Sequence, residues 1–211
     1  MNRRIIRSAL LAASWCIATT AAADIQTSRL LVLDAERAGA RLVAVGERGT
    51  VLLSDDQAQH WNVVSTGITR TLTAVAFVDA KVGVAVGHGG TLMRTADAGR
   101  TWTRVDVADA VADDSLLAVT ALDAHRFVAV GAFGLYLESS DAGQTWERRS
   151  VLGEEGDAHL MGVFAEGARL FVVGEAGTLC RSDDQGHTWQ ILESPYAGSF
   201  FGGLFTQDGT V

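Results

Sequence analysis

The sequence predicts an all-β protein, a β-propeller built from four-stranded Asp-box blades. Two recurring features favour this fold. Four tryptophans recur at intervals of 41, 44 and 43 residues: Trp61, Trp102, Trp146 and Trp189. Four V-G-x-x-G segments keep the same spacing and begin at Val45, Val86, Val130 and Val173. A period in the low forties, in sequence rich in Val, Thr and Gly, is typical of propeller blades and does not fit helical repeats.

Each unit divides into four short strands, A to D, and the second unit shows this division best. The predicted strands are Leu72–Val78, Val82–Val86, Thr91–Thr95 and Thr101–Val105. Strands A and B are nearly continuous in small and apolar residues, as expected for strands buried between neighbouring blades. The glycines of the V-G-x-x-G segment supply the positive φ that a tight B–C turn requires.

The turn between strands C and D carries the most specific motif, [ST]-x-D-x-G-x-T-W. Three copies match it fully, and the first copy departs from it at Ala58 and His60. An Asp side chain in such a turn accepts hydrogen bonds from backbone N–H groups, and the Trp packs against the adjacent blade. We therefore predict a structural role for four aspartates and the tryptophans that follow them: Asp56, Asp97, Asp141, Asp184, Trp61, Trp102, Trp146 and Trp189.

The repeat predicts four complete blades and the start of a fifth within one propeller domain, residues 24–211. The blades cover about 29–66, 67–110, 111–153 and 154–194, with a partial blade at 195–211. Ser199–Phe205 resembles a first strand of that fifth blade. We expect the chain to be a fragment of a larger propeller.

The first 23 residues predict a signal peptide. Arg3, Arg4 and Arg7 precede the largely apolar stretch Ile5–Thr20, and Ala21-Ala22-Ala23 provides a cleavage site before Asp24. The alternative is a buried N-terminal helix. We expect export to a periplasm or an equivalent lumen, with cleavage after Ala23 and no integral membrane span in the mature chain.

Composition argues against several functions. The formal net charge is −8, which does not suit binding to nucleic acid. After the signal peptide only Cys180 remains, so no internal disulfide is expected. The five histidines show no metal-ligand spacing, and we predict neither a metal site nor a cofactor.

The pairing of V-G-x-x-G with [ST]-x-D-x-G-x-T-W in each unit resembles the photosystem II stability/assembly factor family of Asp-box (BNR) propellers. The resemblance covers about Leu30 to Val211. It implies a seven-bladed propeller, exported and without catalytic activity, that acts as an assembly chaperone on a membrane protein complex, as in photosynthesis. It also implies a basic binding surface, from which this acidic chain departs.

Asp-boxes also occur in sialidases and other glycoside hydrolases, so a hydrolase or a carbohydrate-binding propeller is the alternative. A sialidase-like site requires an arginine cluster, a tyrosine nucleophile and an acid/base carboxylate. The mature chain has two tyrosines, Tyr136 in a strand and Tyr196 in a loop, and Tyr196 is the more plausible nucleophile. No F-R-I-P type motif precedes the first unit, and we do not expect an enzyme.

Partner binding is predicted on the face opposite the Asp-boxes. Successive turns leave a propeller blade on opposite faces, so the B–C turns and the D–A loops share one face. Their variable positions are where binding specificity is expected on a rigid scaffold. The candidate partner-binding residues are Glu47, Arg48, His88, Phe133, Glu154, Glu155, Glu175 and Tyr196.

Overall fold

The computed structural model describes residues 30–107, 111, 113–153 and 156–206. These residues form four separate antiparallel sheets of four strands each, and the predicted all-β fold class is confirmed. Within the described ranges the only helical element is one turn of 3-10 helix at Glu47–Gly49, and no helix is long enough and apolar enough to cross a membrane.

The strands follow one another along each sheet in chain order or its reverse. The first sheet contains β1 (Val32–Ala38), β2 (Arg41–Gly46), β3 (Val51–Ser54) and β4 (Asn62–Val64). The second contains β5 (Leu72–Phe77), β6 (Gly83–Gly87), β7 (Thr91–Thr95) and β8 (Thr103–Arg104). The third contains β9 (Leu116–Ala121), β10 (Phe127–Gly131), β11 (Tyr136–Ser139) and β12 (Glu147–Arg149). The fourth contains β13 (Leu160–Glu166), β14 (Arg169–Gly174), β15 (Leu179–Ser182) and β16 (Gln190–Ile191).

Two strand predictions need correction. Strand D of the second blade begins at Thr103 and not at Thr101, because Thr101 is held in the preceding turn by two hydrogen bonds to Asp97. Ser199–Phe205 forms no strand: its one backbone bond to a sheet runs from the Phe200 N–H to the Gly174 carbonyl, and a strand requires a continuous ladder. The blade boundaries remain predictions, and the predicted signal peptide lies outside the described residues.

The core lies between the blades. Strand B is buried along its whole length in the second and third blades, whereas strand D is exposed. Each large apolar cluster combines residues of two consecutive blades; Val43 of β2 and Met93 of β7, for example, belong to one cluster. Burying both faces of each inner strand explains why strands A and B read as continuous apolar runs.

An arginine also joins each blade to the Asp-box turn of the next blade. Arg41 Nη1 donates to the Ala98 carbonyl at 3.1 Å, and Arg126 Nη2 donates to the Gln185 carbonyl at 2.8 Å. Both side chains leave from the start of strand B. In the second blade Val82 stands at that position, and Arg94 of strand C donates to the Ala142 carbonyl at 2.7 Å. All three seams between the four blades therefore carry the same kind of bond.

Arg126 also neutralises a buried carboxylate, and this predicts a large cost for its removal. Its Nη2 lies 2.7 Å from Glu138 Oε1, and the two side chains are 16% and 9% exposed. Arg126→Leu should lower the free energy of unfolding by about 3 kcal/mol, because a buried charge loses its main partner. Urea denaturation measures this change, and the double change Arg126→Leu with Glu138→Leu should recover part of it.

Arg181→Leu is the matched control, because its ion pair with Asp183 lies at the surface. It should cost less than about 1 kcal/mol. Equal destabilisation by the Arg126 and Arg181 changes would contradict the role given to the inter-blade arginine.

Candidate functional site

The Asp-box turns are closed by their own side chains. Asp97 Oδ1 accepts from the Thr101 N–H at 2.8 Å and the Thr95 hydroxyl at 2.9 Å, and Oδ2 accepts from the Thr101 hydroxyl at 2.6 Å. Asp141 and Asp184 repeat this pattern. These bonds support the structural role predicted for the Asp-box aspartates, because they engage both oxygens of each carboxylate.

The first Asp-box keeps the same bonds despite its altered sequence. His60 replaces the usual threonine: its N–H donates to Asp56 Oδ1 at 2.9 Å, and its Nδ1 lies 2.6 Å from Asp56 Oδ2. Ala58 replaces the usual glycine and adopts a φ of 68°, which is unfavourable for a residue with a Cβ.

Hydrogen bonds keep these carboxyl groups ionised. The Thr188 hydroxyl and N–H lower the pKa of Asp184 to about 2, and the His60 N–H and imidazole lower the pKa of Asp56 to about 2. Burial opposes ionisation of Asp97 and Asp141, but the bonds from their Thr and Ser partners outweigh it and lower both pKa values. A carboxyl group that stays ionised at neutral pH cannot act as a general acid.

The tryptophans that follow the aspartates pack at the seams between blades. The Trp189 ring meets the Tyr136 ring of the preceding blade edge-on, with centroids 5.7 Å apart. Trp102 joins the cluster that spans the first and second blades, and its Nε1 donates to the Gly99 carbonyl at 2.9 Å. Trp146 packs against clusters that span the second and third blades, and Trp61 is half-buried at the corresponding position.

The opposite face is built from the V-G-x-x-G turns and the D–A loops, which are bonded together. The first x residue of each turn donates its N–H to the residue that precedes strand A of the same blade. The four bonds are Glu47 to Leu31, His88 to Thr71, Ala132 to Ser115 and Glu175 to His159. Loops and turns therefore form one continuous surface.

The predicted partner-binding residues differ in how much of their bonding capacity is used within the chain. Glu47 Oε1 accepts from the Leu31 N–H at 3.2 Å, and Glu175 Oε1 accepts from the His159 N–H at 2.8 Å. His88 Nδ1 lies 2.9 Å from the Ser115 hydroxyl. Arg48, Phe133 and Tyr196 are exposed, whereas Glu154 and Glu155 lie outside the described residues. The binding role of all eight remains a prediction.

Phe133 is the most prominent apolar group on this face. Its side chain is 55% exposed, and its φ of 53° places it in the left-handed region. The Phe133 ring meets the His159 ring edge-on at 4.8 Å, and the Phe133 N–H donates to His159 Nδ1 at 3.0 Å. His159 was not among the predicted residues, because a single histidine in a loop carries no motif.

A cleft lined by two arginines lies at the outer edge of the second blade, beside the Asp-box turns, and was not predicted from the sequence. The cleft has a volume of about 430 Å³, and Arg94, Arg104, Thr103 and Gln144 are among its lining residues. In the third blade the equivalent position of Arg94 is taken by Glu138, which pairs with Arg126 and Arg149, and only about 30 Å³ remains. Asp106 also lines the cleft of the second blade, and its Oδ1 lies 3.8 Å from Arg104 Nε, so one of the two guanidinium groups already has a carboxylate partner.

Few of the groups that a glycoside hydrolase would require are present in a suitable state among the described residues. Tyr136 is 1% exposed, and burial raises the pKa of its hydroxyl well above the usual range, so it cannot serve as a nucleophile. Tyr196 is 55% exposed and stacks edge-on with Phe200 at 5.4 Å. Across the part of the chain that the structure describes, no group of three or more His, Cys, Asp or Glu side chains is placed to hold a metal ion.

The family model described as photosynthesis system II assembly factor YCF48 matches residues 53–123 and 107–195. No curated protein sequence matches the chain.

Several solved structures share the fold. A structure of YCF48 bound to a D1 peptide is 16% identical with a TM-score of 0.51, and the match covers 77% of this chain and 82% of that one. YCF48 from Cyanidioschyzon merolae is 16% identical with a TM-score of 0.63, covering 80% of this chain and 58% of that one. A GH74 xyloglucanase from Xanthomonas campestris is 18% identical with a TM-score of 0.58, covering 80% and 31%. At these identities the matches establish the fold alone.

The lowered pKa of Asp184 predicts acid sensitivity in a defined window. The folded-state pKa of about 2 lies below the ordinary value of 3.8, so this stabilisation is complete above about pH 4 and is lost as pH falls towards 2. Asp184→Asn should lower the urea midpoint at pH 7, and its difference from the unchanged protein should shrink between pH 4 and pH 2.

Asp183→Asn provides the control, since it removes a charge at the preceding residue without touching the turn bonds of Asp184. A difference between Asp184→Asn and the unchanged protein that stays constant from pH 7 to pH 2 would count against ionisation as the source of the stabilisation.

Proposed function

The chain belongs to the photosynthesis system II assembly factor YCF48 family, and we propose that it is a non-catalytic, exported scaffold that helps a membrane protein complex to assemble or to remain stable. The family match carries this proposal, because it extends over most of the second, third and fourth blades and into the first. The partner is a protein, and the chain binds it without chemical turnover.

The bonded network of turns and loops supports the choice of binding face. A partner requires exposed groups on a rigid support, and Phe133 offers a large apolar ring that packs edge-on against His159, which also accepts the Phe133 backbone N–H. The Asp-box carboxylates are already engaged within their turns and have little capacity left for a ligand. One structure of similar fold is that of YCF48 bound to a D1 peptide, and we propose that this chain also takes a segment of its protein partner.

Export to a periplasm or lumen is part of the same proposal. The order of basic, apolar and small residues in the first 23 positions supports cleavage after Ala23. A protein exported in this way meets the outward-facing surfaces of membrane complexes.

A glycoside hydrolase or carbohydrate-binding function is the second candidate, and the xyloglucanase of similar fold is the observation that favours it. Two observations argue against this candidate: Tyr136 is buried, and the Asp-box carboxyl groups are ionised. A panel of chromogenic glycosides tests this candidate. Turnover that disappears in Tyr196→Phe would favour it over the scaffold.

Phe133→Gly should remove partner capture and preserve the fold. The equivalent turn position in the second blade is Gly89, with a φ of 63°, so glycine suits this backbone. Stability should stay within about 1 kcal/mol of the unchanged protein, because relief of the left-handed conformation offsets the added chain entropy. Capture of the complex from detergent-solubilised source membranes should fall about tenfold or more, as expected for loss of a central aromatic anchor.

Ala176→Gly makes the matched change in the fourth blade, at a φ of 53°. It should leave capture unchanged. If the Phe133 and Ala176 variants capture the same amount of the same complex as the unchanged protein, Phe133 is not the anchor.

A further inference from the structure

We propose that Phe133, His159, Glu175 and Asp157 form a recognition site for a lysine or arginine side chain next to an apolar residue, within an exposed peptide segment of the partner. This inference rests on the proposed function, since it specifies the chemistry of the segment that the scaffold binds. We refer to these four residues as the aromatic–acidic site.

The fold does not require a phenylalanine at position 133. All four B–C turns place a residue in the left-handed region at the same position, and the other three are Arg48, Gly89 and Ala176. Glycine or alanine is sufficient there, and a phenylalanine adds a bulky apolar group that remains 55% exposed. A large side chain kept in an unfavourable backbone region and in contact with water indicates a surface used for binding.

His159 of the neighbouring blade packs against the Phe133 ring and holds it. The ring centroids lie 4.8 Å apart at an interplanar angle of 84°, and His159 Nδ1 accepts the Phe133 N–H. An imidazole whose Nδ1 accepts a hydrogen bond carries its proton on Nε2 when neutral. The aromatic group is therefore held in place before a partner arrives, which lowers the entropic cost of binding.

Acidic residues lie near the Phe133–His159 pair. Glu175 Oε1 accepts the His159 N–H at 2.8 Å, and the Glu175 side chain is 37% exposed. Among the described residues, no Lys or Arg lies within 4 Å of the carboxylate of Glu175 or of Asp157. Asp157 is exposed, and its backbone lies beside the Phe133 turn, with its Cα 3.8 Å from the ideal Cβ position of Gly134.

The aromatic–acidic site combines one exposed aromatic ring with two carboxylates that have no Lys or Arg partner within 4 Å among the described residues. A cation is attracted by these carboxylates and by an aromatic face, whereas an anion is repelled. The apolar ring surface accommodates a neighbouring aliphatic side chain of the same segment. The chain's net charge of −8 extends the same preference over a longer range.

Three short peptides test the charge preference directly. They are acetylated, amidated and identical except at the centre: Leu-Lys-Leu, Leu-norleucine-Leu and Leu-Glu-Leu. We expect titration of the lysine peptide to move the Phe133 and His159 amide signals in two-dimensional NMR spectra. The norleucine peptide should bind at least about fivefold more weakly, and the glutamate peptide should produce no shift at these amides.

Glu175→Gln tests the acidic group, because glutamine keeps an oxygen that can accept the His159 N–H. Affinity for the lysine peptide should fall about three- to tenfold, with the norleucine peptide unaffected. Glu36→Gln is the control: the exposed Glu36 side chain of β1 also accepts a backbone N–H, that of Arg37 at 2.9 Å, and its loss of charge should change neither affinity.

The inference is overturned if no peptide binds, if the lysine and glutamate peptides bind alike, or if Glu175→Gln and Glu36→Gln have equal effects. The proposed function is tested separately by capture of the complex. A protein that loses capture with Phe133→Gly and keeps it with Glu175→Gln would retain its proposed function and lose the charge preference.

Discussion

At each of the three seams between consecutive blades, an arginine side chain donates to the carbonyl of the next Asp-box turn. The acceptor always follows the Asp-box aspartate directly: Ala98, Ala142 and Gln185. The aspartate holds the turn in the conformation that exposes this carbonyl. The arginine donates to the carbonyl and so fixes the position of one blade relative to the next. Local turn chemistry and blade packing are thus connected through a single backbone oxygen, and the apolar clusters between the sheets depend on that alignment.

The two faces of the molecule differ in the groups that they leave available for binding. One face contains Asp-box carboxylates whose oxygens are occupied within their turns, with pKa values lowered by those bonds. The other face contains turns whose backbones are nearly identical and whose side chains differ from blade to blade. The same backbone hydrogen bond joins the turn to the loop in every blade, so the turn side chains can differ without loss of that bond. A repeated scaffold with one variable face suits a protein that binds a partner.

Much of the fold can be predicted from the sequence, because the blade repeat uses local signals: glycines that permit positive φ, an Asp in a tight turn, and strands that are apolar on both faces. The candidate site is harder to predict. Phe133 is visible as an exposed aromatic at a turn tip, but its contact with His159 joins residues 26 positions apart on different blades. The arginine of the second seam is equally hard to predict from the sequence. Val82 occupies the strand B position at which the first and third blades have an arginine. Arg94 of strand C makes the inter-blade bond instead, and its acceptor is still the carbonyl that follows the Asp-box aspartate.

Hydrogen–deuterium exchange of the protein, alone and with its captured complex, tests whether the face opposite the Asp-boxes binds the partner. We expect slower exchange at residues 132–134, 157–159 and 175–177, with no change at the Asp-box turns 97–101, 141–145 and 184–188. Protection confined to the Asp-box turns or to the cleft beside Arg94 and Arg104 would contradict it.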